Sequence, residues 1–352
     1  MTARYICSLL SVHHPARHGA VLAARHRCLV AMCRCAVGHG GWVLWMAVLW
    51  LMALHVAGQR VMWWNVENLF DCRHDTLKND LEFLPQGSHH WTRSRYWHKL
   101  DDVARTLAAA SDGDEWPMLV GLAEVENDSV LHDLTRRSPL RRAGYAYVHH
   151  EGPDLRGIDC ALLYQPHLFR LLGSTAVRVP MKAHGLRPTR DLLHAWGVLA
   201  GGDTLHVICL HFPSRAGGTR QGAQGRRLAG ATLCHLLDSL STQRVVVMGD
   251  FNAGASDPVF GVIGTRLVSL TPRGRAEKQK PQGTYCYQGL WDFIDHMLVS
   301  RLLQPHISGQ VTVGCFPFLL TSEGVPRRTY RGPAYVGGVS DHLPIWADLF
   351  IR

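Results

Sequence analysis

Acidic, amide and imidazole side chains occur in small clusters along the chain, and most clusters directly follow a short apolar run. The clearest example is Asp250 with Asn252, which follow the run Val245–Met248. Three valines and a methionine without alternation are typical of a strand covered on both faces, and Gly249 would let the backbone bend before the polar pair. Taken alone, this stretch fits a core strand followed by a turn equally well, because Asp and Asn favour turns.

Clusters of the same kind recur elsewhere, at Asn65/Glu67, Glu124, His211, Asp295 and Asp341/His342. No serine lies in a nucleophile-elbow motif and no cysteine pairs with a histidine in a recognisable pattern, so covalent catalysis has no support. Oxygen-rich sites suit Mg²⁺ or Mn²⁺, which keep several waters and share coordination with a substrate phosphate. Zinc would require nitrogen or sulfur ligands at tighter spacing. The composition of the clusters therefore indicates metal-assisted phosphoryl chemistry.

The elements that must position these side chains follow from the apolar pattern. Strands are predicted at Arg60–Trp64, Pro117–Ala123, Tyr145–His150, Gly157–Tyr164, Phe169–Val179, Ala195–Ala200, Thr204–Leu210, Val245–Met248 and Leu343–Phe350, with a further pair inside Gly283–Ser300. Helices are predicted at Arg95–Ala110 and Arg226–Leu240. The alternation of strand, helix and strand is typical of a layered α/β domain.

Six of the polar clusters carry a family resemblance. In chain order they are Trp64-Asn65-Val66-Glu67-Asn68, Leu122-Ala123-Glu124-Val125-Glu126, His211-Phe212-Pro213-Ser214-Arg215, Gly249-Asp250-Phe251-Asn252, Ile294-Asp295-His296 and Ser340-Asp341-His342. They resemble, in the same order, the motifs of the endonuclease/exonuclease/phosphatase family, also called deoxyribonuclease-I-like. The similarity runs from about Val61 to Phe350, and the stretch Asn65–Asp71 is similar to the exported bacterial branch of that family.

The resemblance implies the fold and a metal site. The expected fold is an α/β (α+β) four-layer sandwich, in which two mixed β-sheets pack face to face with helices outside and the site lies at one edge of the sheets. Glu124 would be the principal ligand of Mg²⁺ or Mn²⁺, and Asn65 and Asp341 would lie near the metal.

The resemblance also implies catalytic roles. Asp250 would orient or deprotonate the attacking water, and Asn252 would hold a phosphate oxygen. His342, paired with Asp295, resembles a catalytic histidine and the carboxylate that orients it. We assign water activation to Asp250 and His342 jointly, because the sequence does not distinguish the base from the acid.

Two further residues are expected to contact the substrate. His211 resembles a second histidine that contacts the phosphate in part of the family, and Arg190 is a plausible phosphate clamp by its chemistry, although its match is looser. Glu67 and Glu126 are expected outside the ligand set, and His296 is expected to face away from Asp295, because side chains alternate along an extended chain.

The amino-terminal part of the chain differs from the rest. Residues 1–58 contain the apolar run 41–58, preceded by arginines and ending in Ala57 and Gly58. This pattern predicts a secretory signal, hence a periplasmic or secreted protein. The run is also borderline in length for a membrane span, so an uncleaved membrane anchor is a second interpretation. No structure is predicted for residues 1–40, and residues 59–352 are predicted to form the catalytic domain.

Charge and cysteine content limit the function only weakly. The whole chain carries +9, but residues 1–58 hold five arginines and no acid, which leaves 32 basic against 28 acidic residues and a net charge of +4. Such a surplus permits a polyanionic substrate without requiring one. Basic loops at Gly217–Arg227 and Pro272–Lys280 favour a polyanion modestly, or are ordinary solvated surface. The six cysteines after residue 58 have no zinc-ligand spacing and are expected to be buried thiols.

The expected function is therefore that of an exported, metal-dependent phosphodiester hydrolase, a nuclease acting on DNA or RNA. One alternative is a phosphoesterase acting on a lipid or inositol phosphate, as in sphingomyelinase-like enzymes. Another is a catalytically silent binding module of the same fold. No stable protein partner is implied, and a monomer is expected.

Overall fold

Two six-stranded β-sheets packed face to face form the centre of the protein. This computed structural model describes residues 58–351, apart from Asp114, residues 215–218 and residues 273–282. In chain order the strands are β1 Gln59–Leu69, β2 Leu119–Val125, β3 Ala146–His149, β4 Asp159–Tyr164, β5 Phe169–Val177, β6 Leu192–Leu199, β7 Thr204–His211, β8 Arg244–Asp250, β9 Leu267–Ser269, β10 Tyr285–Tyr287, β11 Leu290–Asp292, β12 Asp295–Ser300, β13 Thr312–Val313, β14 Tyr330–Arg331, β15 Ala334–Tyr335 and β16 Ile345–Leu349.

Both large sheets are mixed. The first has the order β13-β16-β1-β2-β4-β3 and the second the order β5-β6-β7-β8-β12-β9. In each, a single central pair is parallel, β1 with β2 and β7 with β8, and the other pairs are antiparallel. The hairpins β10–β11 and β14–β15 stand outside both sheets.

Helices cover the outer faces of the two sheets. They are α1 Arg93–Ala109, α2 Asp128–His132, α3 Thr219–Ser239 and α4 Val259–Ile263, with short helical turns at Leu81–Phe83, Asp133–Arg137, Pro139–Ala143, Lys182–His184, Gln304–His306 and Pro317–Leu319. Helix α1 begins where the Thr92 hydroxyl accepts a hydrogen bond from the Arg95 amide, which satisfies one of the free donors of its first turn.

Three apolar layers hold these elements together. The inner faces of both sheets share one core, in which Trp63, Leu162, Val207 and Met248 are fully buried. A second core lies between the first sheet and α1, and a third between the second sheet and α3. Two sheets between two helical layers make the four-layer sandwich, so the predicted fold class is confirmed.

The strands are longer than their apolar runs alone indicate. Strand β1 continues from the predicted end at Trp64 through the polar cluster to Leu69, and β8 continues through Gly249 to Asp250. Gly249 therefore does not bend the chain as predicted. A Cβ atom there would lie 2.3 Å from Leu210 Cδ1 and 2.5 Å from the Leu210 carbonyl oxygen, so close packing of β7 on β8 explains the glycine.

Several expectations concern residues outside the described ranges. The apolar run 41–58 lies there except for Gly58, as do Arg215 and most of the basic loop from Pro272 to Lys280. Within the described residues, none of the helices combines the length and apolar character that crossing a membrane requires.

Candidate active site

Three neighbouring strands of the second sheet carry predicted site residues at the same end of the sheet, where β7 and β8 end and β12 begins. Asp250 at the end of β8 lies beside His211 of β7 in the parallel register and beside Asp295 of β12 in the antiparallel register. All three side chains are buried, with Asp295 fully so. Strand pairing alone therefore assembles this half of the site.

The first sheet supplies a second group of side chains through two irregular strand ends. The register of β1 with β2 shifts between Asn65 and Leu69, and that of β2 with β4 shifts around Glu124. Glu67, Asn68 and Glu124 have φ angles of 52°, 53° and 65°, in the left-handed region that residues other than glycine rarely adopt. Bulges of this kind re-aim side chains next to active sites.

Alternation along the chain bears on two further residues. Glu67, which is expected outside the ligand set, is 7% exposed and lines the same cavity as Asn65 and Glu124. His296 does face away, as expected: its Nε2 lies 2.9 Å from the Ala253 carbonyl oxygen, and its ring packs on Phe260.

His342 and Asp295 form a buried hydrogen-bonded pair across the two sheets. The distance from His342 Nδ1 to Asp295 Oδ2 is 2.7 Å, and Trp63 Nε1 donates to Asp295 Oδ1 at 2.9 Å. Burial alone would lower the pKa of His342, but the Asp295 charge and hydrogen bond, with Asp250 and Asp341 nearby, hold that pKa well above its ordinary value. Burial would raise the pKa of Asp295, yet the charge and hydrogen bonds of its partners keep it below the usual range.

Asp250 lies at the centre of the group. Its Oδ2 accepts from Asn65 Nδ2 at 3.2 Å and lies 3.8 Å from His342 Nε2, while its Oδ1 accepts from the Asn252 amide at 2.8 Å. Burial, assisted by the Asp295 charge and opposed by His342, raises the pKa of Asp250 to about 7. A buried carboxylate with this pKa suits a general base near neutral pH.

His211 is the neutral histidine of the site. Its Nε2 is 3.5 Å from Asp250 Oδ2, and its Nδ1 is buried without a hydrogen-bond partner. Burial, followed by the positive charges of Arg190, Arg156 and His342, lowers the pKa of His211 well below its ordinary value. The imidazole therefore lines the cavity uncharged.

Carboxylates from the first sheet line the opposite wall. Glu124 Oε2 accepts from the Asn68 amide at 2.8 Å, and Asp341 Oδ2 accepts from Arg328 Nη2 at 3.2 Å. Burial and the neighbouring Asp341 charge raise the pKa of Glu67 to about 8. Several acidic oxygens facing one cavity repel each other, and a hard divalent cation would relieve that repulsion.

Two sets of side chains could be considered as metal ligands. Asp250, Asp295 and His342 place a carboxylate or imidazole atom each within 4.8 Å of one another. However, His342 Nδ1 and Asp295 Oδ2 already bond to each other, so this set is a hydrogen-bonded network. Glu124 Oε2 and Asp341 Oδ2 each accept one hydrogen bond, but neither carboxylate is hydrogen-bonded to a histidine, and carboxylate oxygens fit Mg²⁺ or Mn²⁺.

Arg190 and Asn252, two of the three side chains predicted to contact the phosphate, line the cavity and have partners in the protein. Arg190 donates from Nη1 to Asp154 Oδ2 and from Nη2 to the Phe212 carbonyl oxygen, each at 3.1 Å. Its buried Nε has no partner. Asn252 Nδ2 donates to the same Phe212 carbonyl oxygen at 3.0 Å. Arg190 therefore fixes the wall and retains one donor.

A buried lysine supports the carboxylate wall from behind. Lys99 Nζ donates to the Glu67 carbonyl oxygen at 2.8 Å, to Thr329 Oγ1 at 2.6 Å and to the Val339 carbonyl oxygen. The Thr329 amide in turn donates to Glu67 Oε2 at 2.7 Å. Lys99 thus ties helix α1 to β1 and to the segment that leads to Asp341.

The space enclosed by these side chains is a groove of about 1220 Å³. Polar groups line its floor, and the hairpin β10–β11 with the adjoining turn forms an aromatic side wall that includes Tyr285, Tyr287, Trp291 and Phe293. Tyr285 packs on His342 with ring centroids 4.9 Å apart. This volume exceeds what a single phosphate group requires.

A family model described as endonuclease/exonuclease/phosphatase family matches residues 60–350. The chain belongs to this family. None of the curated protein sequences matches it at a significant level. The family assignment supports a phosphoesterase and a divalent metal in general terms.

Solved structures share the fold at low sequence identity. An endonuclease/exonuclease/phosphatase from Bacteroides vulgatus has a TM-score of 0.54 at 16% identity, covering 84% of this chain and 100% of that one. D. rerio TDP2 complexed with a single-strand DNA product gives 0.53 at 16%, covering 83% and 98%. The mannosyl-6-phosphatase of Bacteroides thetaiotaomicron gives 0.52 at 18%, covering 83% and 100%. At these identities the similarity is one of fold.

Every residue predicted for the site lies around one groove, with Asp295 buried behind it. Residue types alone missed Arg156, whose guanidinium contacts Asn68 Oδ1 and lies 3.8 Å from Glu124 Oε2. Arg328 and Lys99 were missed as well, because each comes from a segment without a motif. Trp63 was predicted only as part of the apolar strand Arg60–Trp64, and its bond to Asp295 could not be predicted because the indole nitrogen reaches that carboxylate across the two sheets.

Proposed function

We propose that this chain is a divalent-metal-dependent phosphodiesterase that acts on DNA or RNA. The observation that carries the proposal is the buried arrangement of His342, Asp295 and Asp250 facing the carboxylates of Glu124 and Asp341 in one groove. Hydrolysis of a phosphodiester needs an activated water, charge neutralisation at the phosphoryl oxygens and assistance to the leaving alkoxide. The two walls provide groups suited to each of these tasks.

The pKa shifts support separate roles for Asp250 and His342, to which water activation was assigned jointly from the sequence. Asp250, with a pKa raised to about 7 by burial, accepts the proton of the attacking water. His342 is held protonated by Asp295, so it donates a hydrogen bond to a phosphoryl oxygen and does not act as the base. The His211 imidazole and the Asn252 side chain, which both line the groove, would orient the phosphate.

Glu124 and Asp341 would hold the metal ion, with Asn65 beside it. A bound Mg²⁺ or Mn²⁺ would supply charge neutralisation at the phosphoryl and leaving oxygens. Arg156 adds positive charge next to Glu124 and would help to keep the phosphate in the groove.

The shape of the groove favours a nucleic acid. Aromatic side chains on its wall offer faces on which bases can stack, and such stacking contributes about 1–3 kcal/mol per base. Arg156 and Arg190 line the floor. A nucleic acid could therefore be held on both sides of the bond that is cleaved.

Hydrolysis assays on residues 59–352 test this proposal. Plasmid DNA, RNA and bis-p-nitrophenyl phosphate are incubated with the protein in Mg²⁺, with and without EDTA, beside Asp250→Ala and His342→Ala. We expect EDTA and each substitution to abolish hydrolysis of all substrates that the wild type cleaves. Activity that persists in EDTA or in both variants would contradict the mechanism.

One observation favours a second candidate, a phosphoesterase acting on a lipid. Leu290 is 65% exposed and Tyr287 is 58% exposed at the tip of the hairpin β10–β11, beside the groove. An exposed apolar tip next to a catalytic centre is a feature expected of an enzyme that works at a membrane surface. Assays on sphingomyelin and inositol phosphates distinguish the two, because activity confined to these substrates would rule out the nuclease.

We also propose that the protein is exported and acts as a monomer. Support for export comes from the charge and hydropathy pattern of residues 1–58 alone. Mass spectrometry of the amino terminus of the protein recovered from the cell envelope and medium tests it, and an intact Met1 would contradict cleavage of the signal.

A further inference from the structure

A second cavity lies on the other side of the hairpin β10–β11 from the catalytic groove. It has a volume of about 340 Å³ and is lined by Arg327, Arg328 and Arg331 together with residues of the hairpin, and none of the described acidic side chains lines it. Tyr287 lines both this cavity and the groove, so the hairpin is the partition between them.

The hairpin that separates the two cavities has a regular backbone structure. Its turn residues Gln288 and Gly289 have φ angles of 49° and 79°, as a two-residue turn with both central residues left-handed requires. Tyr285 pairs with Asp292, and Tyr285 also forms a bridge with His342. The base of the hairpin is therefore connected directly to the catalytic histidine.

Arg328 connects the two cavities. Its Nη2 donates to Asp341 Oδ2 at 3.2 Å, so one side chain that lines the second cavity also contacts the carboxylate wall of the groove. The second cavity therefore begins one side chain away from the proposed metal ligands.

The other two arginines retain most of their donors. The one bond found for the Arg327 side chain runs from Nη2 to the Val336 carbonyl oxygen at 2.9 Å, and Arg331 is exposed on the hairpin β14–β15. Arg331 interacts electrostatically with the exposed Glu323, which does not line the cavity. Guanidinium groups present planar pairs of donors that match phosphate oxygens, so the cavity is suited to an anion.

We propose that this cavity binds a second phosphate group of the same substrate molecule, next to the phosphodiester that is cleaved. The inference rests on the proposed phosphodiesterase function and adds a substrate class to it, namely diesters that carry a neighbouring phosphate on the hairpin side. Arg327 and Arg331 are the specificity-determining residues, and the aromatic hairpin holds the nucleoside between the two phosphates.

A dinucleotide series tests the proposal. The kcat/KM values of the wild type are measured on thymidylyl-thymidine without a terminal phosphate, with a 5′ phosphate and with a 3′ phosphate. We expect one of the phosphorylated forms to be preferred by at least about tenfold, since one charge-assisted contact contributes roughly 1.5–3 kcal/mol. In Arg327→Ala/Arg331→Ala this preference should fall at least fivefold, mainly through KM.

The matched control is Arg142→Ala, which removes an exposed arginine that lines neither cavity. It should retain the wild-type preference. Equal kcat/KM values for the three dinucleotides in the wild type, or an unchanged preference in the double variant, would overturn the proposal.

Binding without turnover separates this inference from the proposed function. Fluorescein-labelled dinucleotides with and without the terminal phosphate are titrated in EDTA and followed by anisotropy. Tighter binding of a phosphorylated form that is lost in the double variant supports the second site even if bis-p-nitrophenyl phosphate is not hydrolysed. Identical binding of all forms overturns the second site while leaving the hydrolytic mechanism intact.

Discussion

Two buried histidine sites show how the partner of an imidazole decides its charge. His342 is buried against Asp295, and its pKa is raised well above the ordinary value because the carboxylate outweighs the cost of burial. His194, on the outer face of the second sheet, has its Nε2 3.0 Å from His206 Nδ1. Burial and the neighbouring imidazole lower the pKa of His194 to about 4.

The difference follows from the chemistry of one neighbour. A carboxylate stabilises the imidazolium by its negative charge, whereas a second imidazole carries no negative charge to offset the cost of burial and opposes a second positive charge when it is protonated. The protein therefore holds a charged histidine where a phosphate is expected to bind, and a neutral histidine pair on the outer face of the second sheet. Substitutions at the charged histidine should therefore affect activity more than substitutions at the neutral pair.

Replacing the charged histidine should have the largest effect. His342→Gln removes the imidazolium that faces Asp250, and we expect kcat/KM on bis-p-nitrophenyl phosphate to fall by about 10³-fold or more. The matched control, His194→Gln, removes a buried histidine of the neutral pair and should stay within about twofold of the wild type, as expected for a residue remote from the reacting groups. Similar losses of kcat/KM in the two variants would contradict the different roles of His342 and His194.

Neutralising Asp295, the hydrogen-bond partner of His342, should have the next largest effect on activity. Asp295→Asn can keep a hydrogen bond to His342 but removes the charge that raises the pKa of that imidazole. Burial then dominates, so the pKa of His342 should fall and the protonated form should be lost at neutral pH. We expect activity at pH 7.5 to fall about 10²-fold, a typical loss for one acid–base group.

The pH–rate profile checks this reasoning. Because the variant regains protonated His342 as the pH falls, its loss relative to the wild type should be smaller at low pH than at high pH. A loss that is independent of pH would show that Asp295 acts by positioning alone.

Removing the tryptophan that supports Asp295 should have a smaller effect. Trp63→Phe deletes the Nε1 donor that lies 2.9 Å from Asp295 Oδ1 but leaves the bond to His342. The loss of one hydrogen bond to a buried carboxylate should reduce the free energy of unfolding by about 2 kcal/mol. Chemical denaturation of the wild type and the variant measures it. An unchanged stability would mean that the indole contributes only by packing.

The neutral pair should affect stability rather than activity. The folded-state pKa of His194 is below its unfolded value, so its neutral form is favoured by folding and stability is lost as the pH falls from about 6.5 towards about 4. His194→Gln should therefore lose less stability than the wild type between pH 7.5 and pH 5, by up to about 1 kcal/mol after allowance for partial solvation. Thermal unfolding at the two pH values tests this, and parallel losses would contradict it.

The ends of strands in the second sheet were predictable because simple rules govern them. A valine-rich run followed by Asp250 predicts a buried strand that presents a carboxylate at its end, and the register then brings His211 and Asp295 beside it. The fold class followed from the order of the six motifs. The lengths of the strands did not follow, because β1 and β8 continue through their polar ends.

The carboxylate wall was harder to predict. Regular alternation predicts only that Glu67 lies outside the ligand set, and it does not predict the register shifts and left-handed backbone at Glu67, Asn68 and Glu124 beside the groove. Such conformations are determined by packing on all sides, and no local pattern marks them in advance.

The sequence by itself determined which side chains are available for chemistry, because acids, amides and histidines follow apolar runs in the order of one family and so predict metal-assisted phosphoryl chemistry. Only the tertiary structure decided how the charges are distributed. The pKa of His342 depends on Asp295, about 47 residues away in the chain, and Arg328 reaches Asp341 from a segment without a motif. Electrostatic interactions depend on distance and burial, and both arise only when the two sheets pack together.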